Sequence, residues 1–297
     1  MTAKKSASLS IILPAKNEAE GLDQLLPRLR SLIPNAELIV VDDASSDDTA
    51  LICGKHKVTV LRHPYTMGNG AAIKTGARAA VGDLLIFLDA DGQHDPNDIE
   101  RLLAMIDRGY DMVVGARTWG SHAGLRRTVA NFMYNRLASW MTGFRILDLT
   151  SGFRVARADK FRRFLYLLPN GFSYPTTITM AFLRSAFPVA YVPITARARS
   201  GNSKIRLVRD GVRFLVIILK VGALFSPMRL FLPVSLGLFL AGGCYYAYTF
   251  LASHRFTNMS ALLFTSSLIT FLIGVVSEQV SSLHYRGTEE ARDRPKK

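Results

Sequence analysis

Strand-like and helix-like segments alternate along residues 8–115, and no other feature of the sequence restricts the fold as strongly. Short apolar runs such as SLSIILP, AELIVVDD and DLLIFLDAD have the length and composition of buried strands. Between them, segments such as EGLDQLLPRLRSLI and PNDIERLLAMIDRG have the apolar spacing of helices. Because strands that alternate with helices build parallel sheets covered on both faces, the pattern predicts an α/β fold.

Polar side chains follow several of these strands at the point where each strand ends. They are Lys16-Asn17-Glu18 after the first strand, Asp42-Asp43 at the second, Asp89 and Asp91 after the fourth, and Arg117 at the fifth. In open α/β sheets, ligands bind outside the carboxyl ends of the strands. We therefore expect these side chains to form one binding site along one edge of the sheet.

The stretch FLDADGQHDP, residues 87–96, places two carboxylates side by side. Asp89 and Asp91 repel each other unless a positive group lies between them, and a divalent cation bound to a diphosphate is the usual solution. A simple turn at Asp-Ala-Asp-Gly is the alternative. Two observations favour the cation: Asp42-Asp43 ends another strand in the same way, and the chain has only 23 Asp and Glu against 37 Lys and Arg.

The C-terminal third of the sequence is predominantly apolar. The run IRLVRDGVRFLVIILKVGALF places its charged residues on one helical face, which predicts an interfacial amphipathic helix at 205–226, although a core-facing helix has the same pattern. LFLPVSLGLFLAGGCYYAYTFL at 230–251 and the run that begins with ALLFTSSLITFLIGVV at 261 are long enough to cross a bilayer. We expect a transmembrane hairpin at 227–286 and a disordered tail at 287–297.

The distribution of basic residues predicts the orientation of this hairpin. Arg and Lys are abundant before and after the two apolar runs, whereas the connecting loop ASHRFTNMS carries one Arg, so both flanks are expected in the cytoplasm. The N-terminal MTAKKSASLSIILPAKNE has too few apolar residues for a signal peptide. We therefore expect an integral membrane protein whose domain at 1–204 is cytoplasmic, with no disulfide between Cys53 and Cys244.

Six motifs occur in the order and at the spacing of one enzyme family. They are SIILPAKNEAEGL, VVDDASSDDT, NGAAIKTGARAA, FLDADGQHDP, VVGAR and DLTSGFR. With them, roughly residues 8–205 resemble the family 2 glycosyltransferases of the GT-A fold, and within these the dolichyl- or polyprenyl-phosphate sugar synthases with a C-terminal two-helix anchor. The resemblance implies a catalytic domain at 1–204 with a Rossmann-like, mixed but mainly parallel sheet flanked by helices, and metal-dependent sugar transfer.

The resemblance also implies a set of binding residues. The nucleotide would be bound by Pro14, Lys16, Glu18, Val41, Asp43, Asp89, Ala90, Asp91, Arg199 and Lys204, with Arg197 as the alternative to Arg199. A Mg²⁺ or Mn²⁺ ion would be held by Asp89, Asp91 and Gln93. The residues expected to act in catalysis are Asp89, Asp91 and Arg117.

For the acceptor, the resemblance implies a phosphate near Arg117, Arg127 and Asn131, with DLTSGFR at 148–154 close by. The residue chemistry agrees, because an alcohol acceptor needs a general base, whereas a phosphate monoester with a second pKa of about 6 is already close to a dianion at pH 7. We expect inverting transfer of a hexose from a GDP-mannose or UDP-glucose type of donor to polyprenyl or dolichyl phosphate, at the cytoplasmic membrane face.

Other functions fit this sequence less well. A net charge of +14 suits nucleic acid, but the basic residues cluster near the membrane segments and the expected acceptor site, so no nucleic-acid partner is expected. Two spans with charges only at their ends offer no polar pathway for a transporter. The Gln-x-x-Arg-Trp motif of processive polysaccharide synthases is absent. Transfer of an N-acetylhexosamine or pentose, an inactive membrane scaffold and a homo-oligomer stay open.

Two further features have structural explanations. GNGAAIKTG resembles a phosphate-binding loop, but Ile73 replaces the glycine that should precede the lysine, so a glycine turn opening a helix is expected. His94 lies beside the acidic pair and is expected to lie behind the metal ligands or on the surface rather than to bind metal.

Overall fold

The computed structural model describes residues 7–117, 125–171, 173–195, 216, 219–220, 222–223 and 226–290, without the side chains of 125–130, 253 and 282–290. The chain divides into two compact units. The first contains residues 1–137 and 144–215, and the second contains 138–143 and 216–297. Most of the predicted interfacial helix at 205–226 lies outside the described residues, as does the tail at 291–297.

The first unit is built around a seven-stranded sheet. Its strands are β1 (Leu9–Ala15), β2 (Glu37–Asp42), β3 (Thr59–Arg62), β4 (Leu84–Phe87), β5 (Met112–Arg117), β6 (Arg154–Arg157) and β7 (Val189–Ile194). They lie in the order β3-β2-β1-β4-β6-β5-β7. All neighbouring pairs are parallel except those of β6, which runs antiparallel to β4 and β5. The predicted mixed, mainly parallel sheet is confirmed.

Helices connect these strands. They are α1 (Ala19–Leu32), α2 (Thr49–Lys55), α3 (Asn69–Ala79), α4 (Asp98–Asp107), α5 (Leu125–Thr142), α6 (Ala158–Arg162) and α7 (Tyr174–Arg184), with a 3₁₀ turn at Leu165–Leu167. The central strands β1, β2 and β4 are apolar and almost fully buried, as expected for strands covered on both faces. Because both faces of these strands are covered, polar residues are found at the strand ends.

The loop before β6 lies at the edge of the sheet where the parallel strands have their carboxyl ends, because β6 runs in the opposite direction. Arg154, its first residue, lies opposite Phe87 at the end of β4 and opposite Val114 on β5. Because β6 is antiparallel, its N-terminal end lies where its neighbours have their carboxyl ends. The loop at 148–153 therefore lies beside the residues that follow β4 and β5.

The second unit contains two long apolar helices, α8 (Pro227–Ser253) and α9 (Asn258–Glu290). Pro227–Ala252 and Asn258–Ser281 are long and apolar enough to cross a membrane. Helix α9 continues to Glu290, so residues 287–290, which the sequence assigns to a disordered tail, have a helical backbone. Adding a residue to an existing helix costs less than starting one, which allows the helix to continue into polar sequence.

Polar contacts join the two helices of this hairpin. Ser235 Oγ donates to the carbonyl oxygen of Ser267 at 3.0 Å, and Ser267 Oγ donates to that of Ser235 at 2.8 Å. The backbone N–H of Met228, at the start of α8, donates to Glu278 Oε2 at 3.3 Å. Small hydroxyl residues at a helix crossing are typical of helices that pack within a membrane.

Candidate active site

The strand ends meet as the sequence predicts. Ala15 at the end of β1 is in register with Asp42 at the end of β2, and Ile12 of β1 is in register with Phe87 of β4. Asp89 follows Phe87 by two residues, so it lies just beyond the sheet edge. The polar residues after β1, β2 and β4 therefore share one edge.

The Asp89-Ala90-Asp91 segment is fixed by close backbone packing. A side-chain carbon added at Gly21 of α1 would lie 2.3 Å from the carbonyl oxygen of Ala90, and one added at Gly152 would lie 2.6 Å from Asp89 Oδ2. Asp91 Oδ1 accepts a hydrogen bond from the backbone N–H of Gln93 at 3.2 Å. Neither Gly21 nor Gly152 leaves room for a methyl group, so both glycines determine where the acidic segment lies.

His94 lies next to the acidic segment, on the side of the protein interior. It is buried, its ring lies 5.2 Å from that of Phe153, and its Nε2 lies 3.9 Å from Asp89 Oδ2. Burial lowers the pKa of His94 to about 4, so the ring is neutral at physiological pH. Of the two positions expected for His94, behind the ligands or on the surface, burial excludes the surface.

The residues present fit a cation that is shared with a substrate. Among the described residues, no group of three or more His, Cys, Asp or Glu side chains is arranged to hold a metal. Asp89, which is one-third exposed, and Asp91 nevertheless supply two carboxylates on one short segment. Mg²⁺ is commonly bound by one or two carboxylates together with substrate phosphates, and this donor set matches that arrangement.

Arg117, at the end of β5, is held by a carboxylate from the 148–153 loop. Its Nε donates to Asp148 Oδ2 at 2.8 Å and its Nη2 donates to Asp148 Oδ1 at 3.0 Å and to Thr150 Oγ1 at 2.5 Å. The Arg117 side chain remains 23% exposed. The guanidinium is thus fixed in direction while part of it faces solvent.

The charges of this pair stabilise each other. Burial raises the pKa of Asp148, but the hydrogen bonds and charge of Arg117 lower it more, and the net pKa lies below the ordinary value. Burial lowers the pKa of Arg117, and Asp148 raises it, with a net increase. Both groups therefore stay ionised, and Arg117 provides a fixed positive charge at the site.

The Asp43 carboxylate accepts hydrogen bonds from other residues of the protein. Its Oδ1 accepts from His63 Nδ1 at 2.7 Å and from the backbone N–H of Met67 at 2.7 Å, and its Oδ2 accepts from the N–H of Gly68 at 2.9 Å. Asp43 is only 4% exposed. His63 Nε2 in turn lies 3.0 Å from Thr75 Oγ1. Asp43 therefore orders the loop that leads into α3, and three of its acceptor positions are occupied.

Four more residues expected at the nucleotide lie on β1, on β2 or directly after β1. Lys16 is exposed, and its Nζ donates to Thr66 Oγ1 at 2.7 Å. Pro14 and Val41 are in register on β1 and β2, and the Val41 side chain is fully buried. The backbone N–H of Glu18 donates to Thr49 Oγ1 at 3.3 Å.

The start of α3 is occupied by protein groups. The N–H groups of Gly70 and Ala71 donate to the carbonyl oxygens of Gly171 and Asn170, and Lys74 Nζ donates to the carbonyl oxygen of Leu168 at 3.1 Å. The preceding Gly68 has a φ of 101°, which a glycine adopts without strain. The segment is the expected glycine turn that opens a helix, and its lysine is bonded to the 168–170 segment.

Some expected residues lie outside the described part of the chain. These are Arg197, Arg199 and Lys204, and also the side chain of Arg127, whose backbone is in α5. Asn131 lies further along α5 and is half-buried. The structure thus brings together Asp89, Asp91, Arg117 and the 148–153 loop, whereas the roles of Arg199 and Lys204 at the nucleotide remain predictions.

Comparison with known proteins finds a family match in each of the two units. Residues 10–165 match the family Glycosyl transferase family 2, and residues 226–283 match the GtrB C-terminal hairpin. One relative is polyprenol monophosphomannose synthase of Mycolicibacterium smegmatis, which is 28% identical over 68% of this chain and 83% of the relative. Another is undecaprenyl-phosphate mannosyltransferase of Micrococcus luteus, which is 32% identical over 65% of this chain and 85% of the relative.

A solved structure supports the same fold. Glucosyl-3-phosphoglycerate synthase from Mycobacterium tuberculosis, in complex with Mn²⁺ and UDP-glucose, has a TM-score of 0.60 and 21% identity over 72% of this chain and 80% of that chain. At this identity, the likeness concerns the fold alone. Helices α8 and α9, which are long and apolar enough to cross a membrane, lie within the segment that matches the GtrB C-terminal hairpin, apart from the end of α9. Together with the match over residues 10–165, these findings show that the chain is a glycosyltransferase of glycosyl transferase family 2.

Proposed function

We propose that this enzyme transfers a hexose from a nucleotide diphosphate sugar to polyprenyl phosphate, with inversion, at the cytoplasmic face of a membrane. The observation that carries the proposal is the meeting of the Asp89–Asp91 carboxylates and the fixed Arg117 cation at one sheet edge, in a chain with a membrane anchor. Two relatives are named for mannose transfer to polyprenyl or undecaprenyl phosphate.

Asp89, Asp91 and Gln93 would hold a divalent ion against the diphosphate of the donor. When bound, such an ion acts as a Lewis acid that stabilises the negative charge of the leaving diphosphate. Mn²⁺ is our first choice over Mg²⁺ because a structural neighbour contains Mn²⁺ together with UDP-glucose. The protein contributes the fixed position of the two carboxylates, which the packing against Gly21 and Gly152 provides.

The acceptor needs positive charge rather than a general base. One phosphate oxygen would form the new bond to the anomeric carbon while the bond from that carbon to the diphosphate breaks, and the diphosphate leaves with the electron pair. Arg117, held by Asp148, would orient the acceptor phosphate, together with Arg127 and Asn131 of α5. Arg199 and Lys204 would close over the donor, with Pro14, Lys16, Glu18, Val41, Asp43 and Ala90 around its nucleotide.

The contacts of Asp43 favour uracil over guanine as the base of the donor. A carboxylate offers about four lone-pair positions, and His63, Met67 and Gly68 occupy three of those on Asp43. Guanine presents two adjacent N–H donors, which need two acceptors, whereas uracil presents one. After these contacts of the described residues, one position on Asp43 Oδ2 remains, so we propose a UDP-sugar.

The test is glycolipid synthesis by the complete chain in detergent with Mn²⁺. UDP-glucose, UDP-galactose, UDP-N-acetylglucosamine and GDP-mannose are each offered with undecaprenyl phosphate or with undecaprenol, and products are identified by mass spectrometry. We expect a product from a UDP-sugar with the phosphate acceptor and none with the alcohol. Arg117 supplies a cation for a phosphate, and the carboxylates of the described site are assigned to the metal ion, to Arg117 or to the protein backbone rather than to a hydroxyl.

Three results would contradict all or part of this proposal. Sugar transfer to undecaprenol would show that the enzyme activates a hydroxyl. A product from GDP-mannose alone would overturn the uracil assignment but leave the lipid phosphate in place. If no donor gives a product and neither UDP nor GDP binds in the presence of Mn²⁺, the chain is an inactive scaffold.

A further inference from the structure

Arg154, the first residue of β6, is a buried cation whose hydrogen-bond acceptors in the described structure are all neutral. It is 0% exposed. Its Nη1 donates to the carbonyl oxygen of Pro175 and to Thr179 Oγ1, both at 3.2 Å, and its Nη2 donates to the carbonyl oxygen of Ser151. Because an ionised group is costly to bury, the position of this cation calls for an explanation beyond core packing.

A second buried side chain holds the next carbonyl group along the chain. Tyr174, at the start of α7, is almost fully buried, and its hydroxyl donates to the carbonyl oxygen of Gly152 at 3.3 Å. The guanidinium carbon of Arg154 lies 5.7 Å from the centre of the Tyr174 ring. The two side chains thus hold the consecutive carbonyls of Ser151 and Gly152 from the interior of the protein.

The held backbone lies directly against Asp89. A side-chain carbon at Gly152 would be 2.6 Å from Asp89 Oδ2, which leaves no gap between this backbone and the carboxylate. The other side of the same loop is fixed by Asp148, whose Oδ1 accepts from the N–H of Ser151 at 3.1 Å. A displacement of Ser151–Gly152 would therefore change the space in which Asp89 is oriented.

We propose that Arg154 and Tyr174 are positioning residues for the cation site. By holding the Ser151–Gly152 backbone against Asp89, they determine how tightly the enzyme binds a divalent ion together with a nucleotide diphosphate. This inference rests on the proposed role of Asp89 as a metal ligand. Neither residue touches the substrate; each acts through the backbone that it holds.

The test is the Mn²⁺ dependence of UDP binding by the Tyr174→Phe variant of the complete chain in detergent. This change removes only the hydroxyl that holds Gly152. We expect the Mn²⁺ concentration for half-maximal UDP binding to rise about threefold to tenfold, the effect of losing one modest hydrogen bond. The rate at saturating Mn²⁺ and UDP-sugar should change much less, because the ligands themselves remain.

Tyr191→Phe is the matched control. Tyr191 on β7 is a partly buried tyrosine whose buried hydroxyl has no hydrogen-bond partner in the described structure. The Mn²⁺ dependence of the Tyr191→Phe variant should therefore equal that of the wild type. An unchanged Mn²⁺ dependence in Tyr174→Phe, or an equal increase in both variants, would overturn the inference. Absence of Mn²⁺-dependent UDP binding in the wild type would instead overturn the proposed function, and this inference with it.

Arg154→Lys provides a second variant. Lysine keeps the charge but lacks the planar fork that reaches Ser151, Pro175 and Thr179 together, so its effect on the Mn²⁺ dependence should exceed that of Tyr174→Phe. A folded Arg154→Lys variant with wild-type Mn²⁺ dependence would contradict the role of Arg154.

Discussion

Replacing Asp91 with Asn is expected to lower the rate of glycolipid synthesis by about a thousandfold or more. The substitution keeps the size of the side chain but removes one of the two negative charges that would hold the divalent ion. Charge stabilisation by a bound metal contributes several kcal/mol to a transition state, and about 1.4 kcal/mol corresponds to a factor of ten. The initial rate with a saturating UDP-sugar and undecaprenyl phosphate measures this effect.

Asp95→Asn is the matched control for this experiment. Asp95 lies in the same loop, but its carboxylate pairs with Arg28 at 2.9 Å, and both side chains are substantially exposed. Exposed ion pairs contribute about 0–1 kcal/mol, so the rate should stay within a few-fold of the wild type. A folded Asp91→Asn enzyme that retains more than about a tenth of the activity would contradict the assignment of Asp91 as a metal ligand.

The Gly152→Ala substitution is expected to lower the rate about a hundredfold, although it introduces only one methyl group. That methyl would lie 2.6 Å from Asp89 Oδ2, closer than van der Waals contact allows, so the carboxylate must move. A misplacement of about 1 Å at a reacting centre can reduce a rate by about this factor. The measurement is kcat and the half-saturating Mn²⁺ concentration, both of which should be affected.

Gly54→Ala controls for the general effect of replacing a glycine. A methyl group at Gly54, in α2, would contact nothing within 4 Å, and alanine favours helices, so activity should be unchanged. If Gly152→Ala leaves the Mn²⁺ dependence of a folded enzyme unchanged, then Asp89 can be displaced without consequence, and it does not bind the metal in the way proposed.

Much of the fold could be predicted because its signals are local. The strand that ends before Asp89 and the helix that begins near Asp98 are each defined by a short run of sequence, and the structure has both. That the polar strand ends share one edge follows from the parallel arrangement alone. The two long apolar segments were equally clear, because spanning length is a property of one continuous run.

The support behind the acidic pair could not be predicted in the same way. Asp148 binds Arg117, and Arg154 and Tyr174 hold the Ser151–Gly152 backbone, only because β6 inserts antiparallel between β4 and β5. That insertion is a long-range pairing that no local pattern specifies. The DLTSGFR motif indicated that the stretch was important, but not that its glycine lies against Asp89.

The hydrogen bonds that Asp43 makes within the protein could not be predicted from the sequence either. Asp43 is expected at the nucleotide, yet the structure shows that it also binds His63 and two backbone N–H groups. His63 is twenty residues away along the chain and reaches Asp43 because β2 and β3 are adjacent. The number of acceptor positions left for a ligand depends on this tertiary contact.

The most direct test of the account is Mn²⁺ binding to the complete chain, followed by electron paramagnetic resonance. Adding UDP to the wild-type protein should remove the signal of free Mn²⁺ in a 1:1 ratio, because the ion would be shared between Asp89, Asp91 and the diphosphate. Asp91→Asn should leave most of the Mn²⁺ free under the same conditions. Equal Mn²⁺ binding by the wild type and Asp91→Asn, or no UDP-dependent binding by the wild type, would contradict the central claim that these strand-end carboxylates form a metal–diphosphate site.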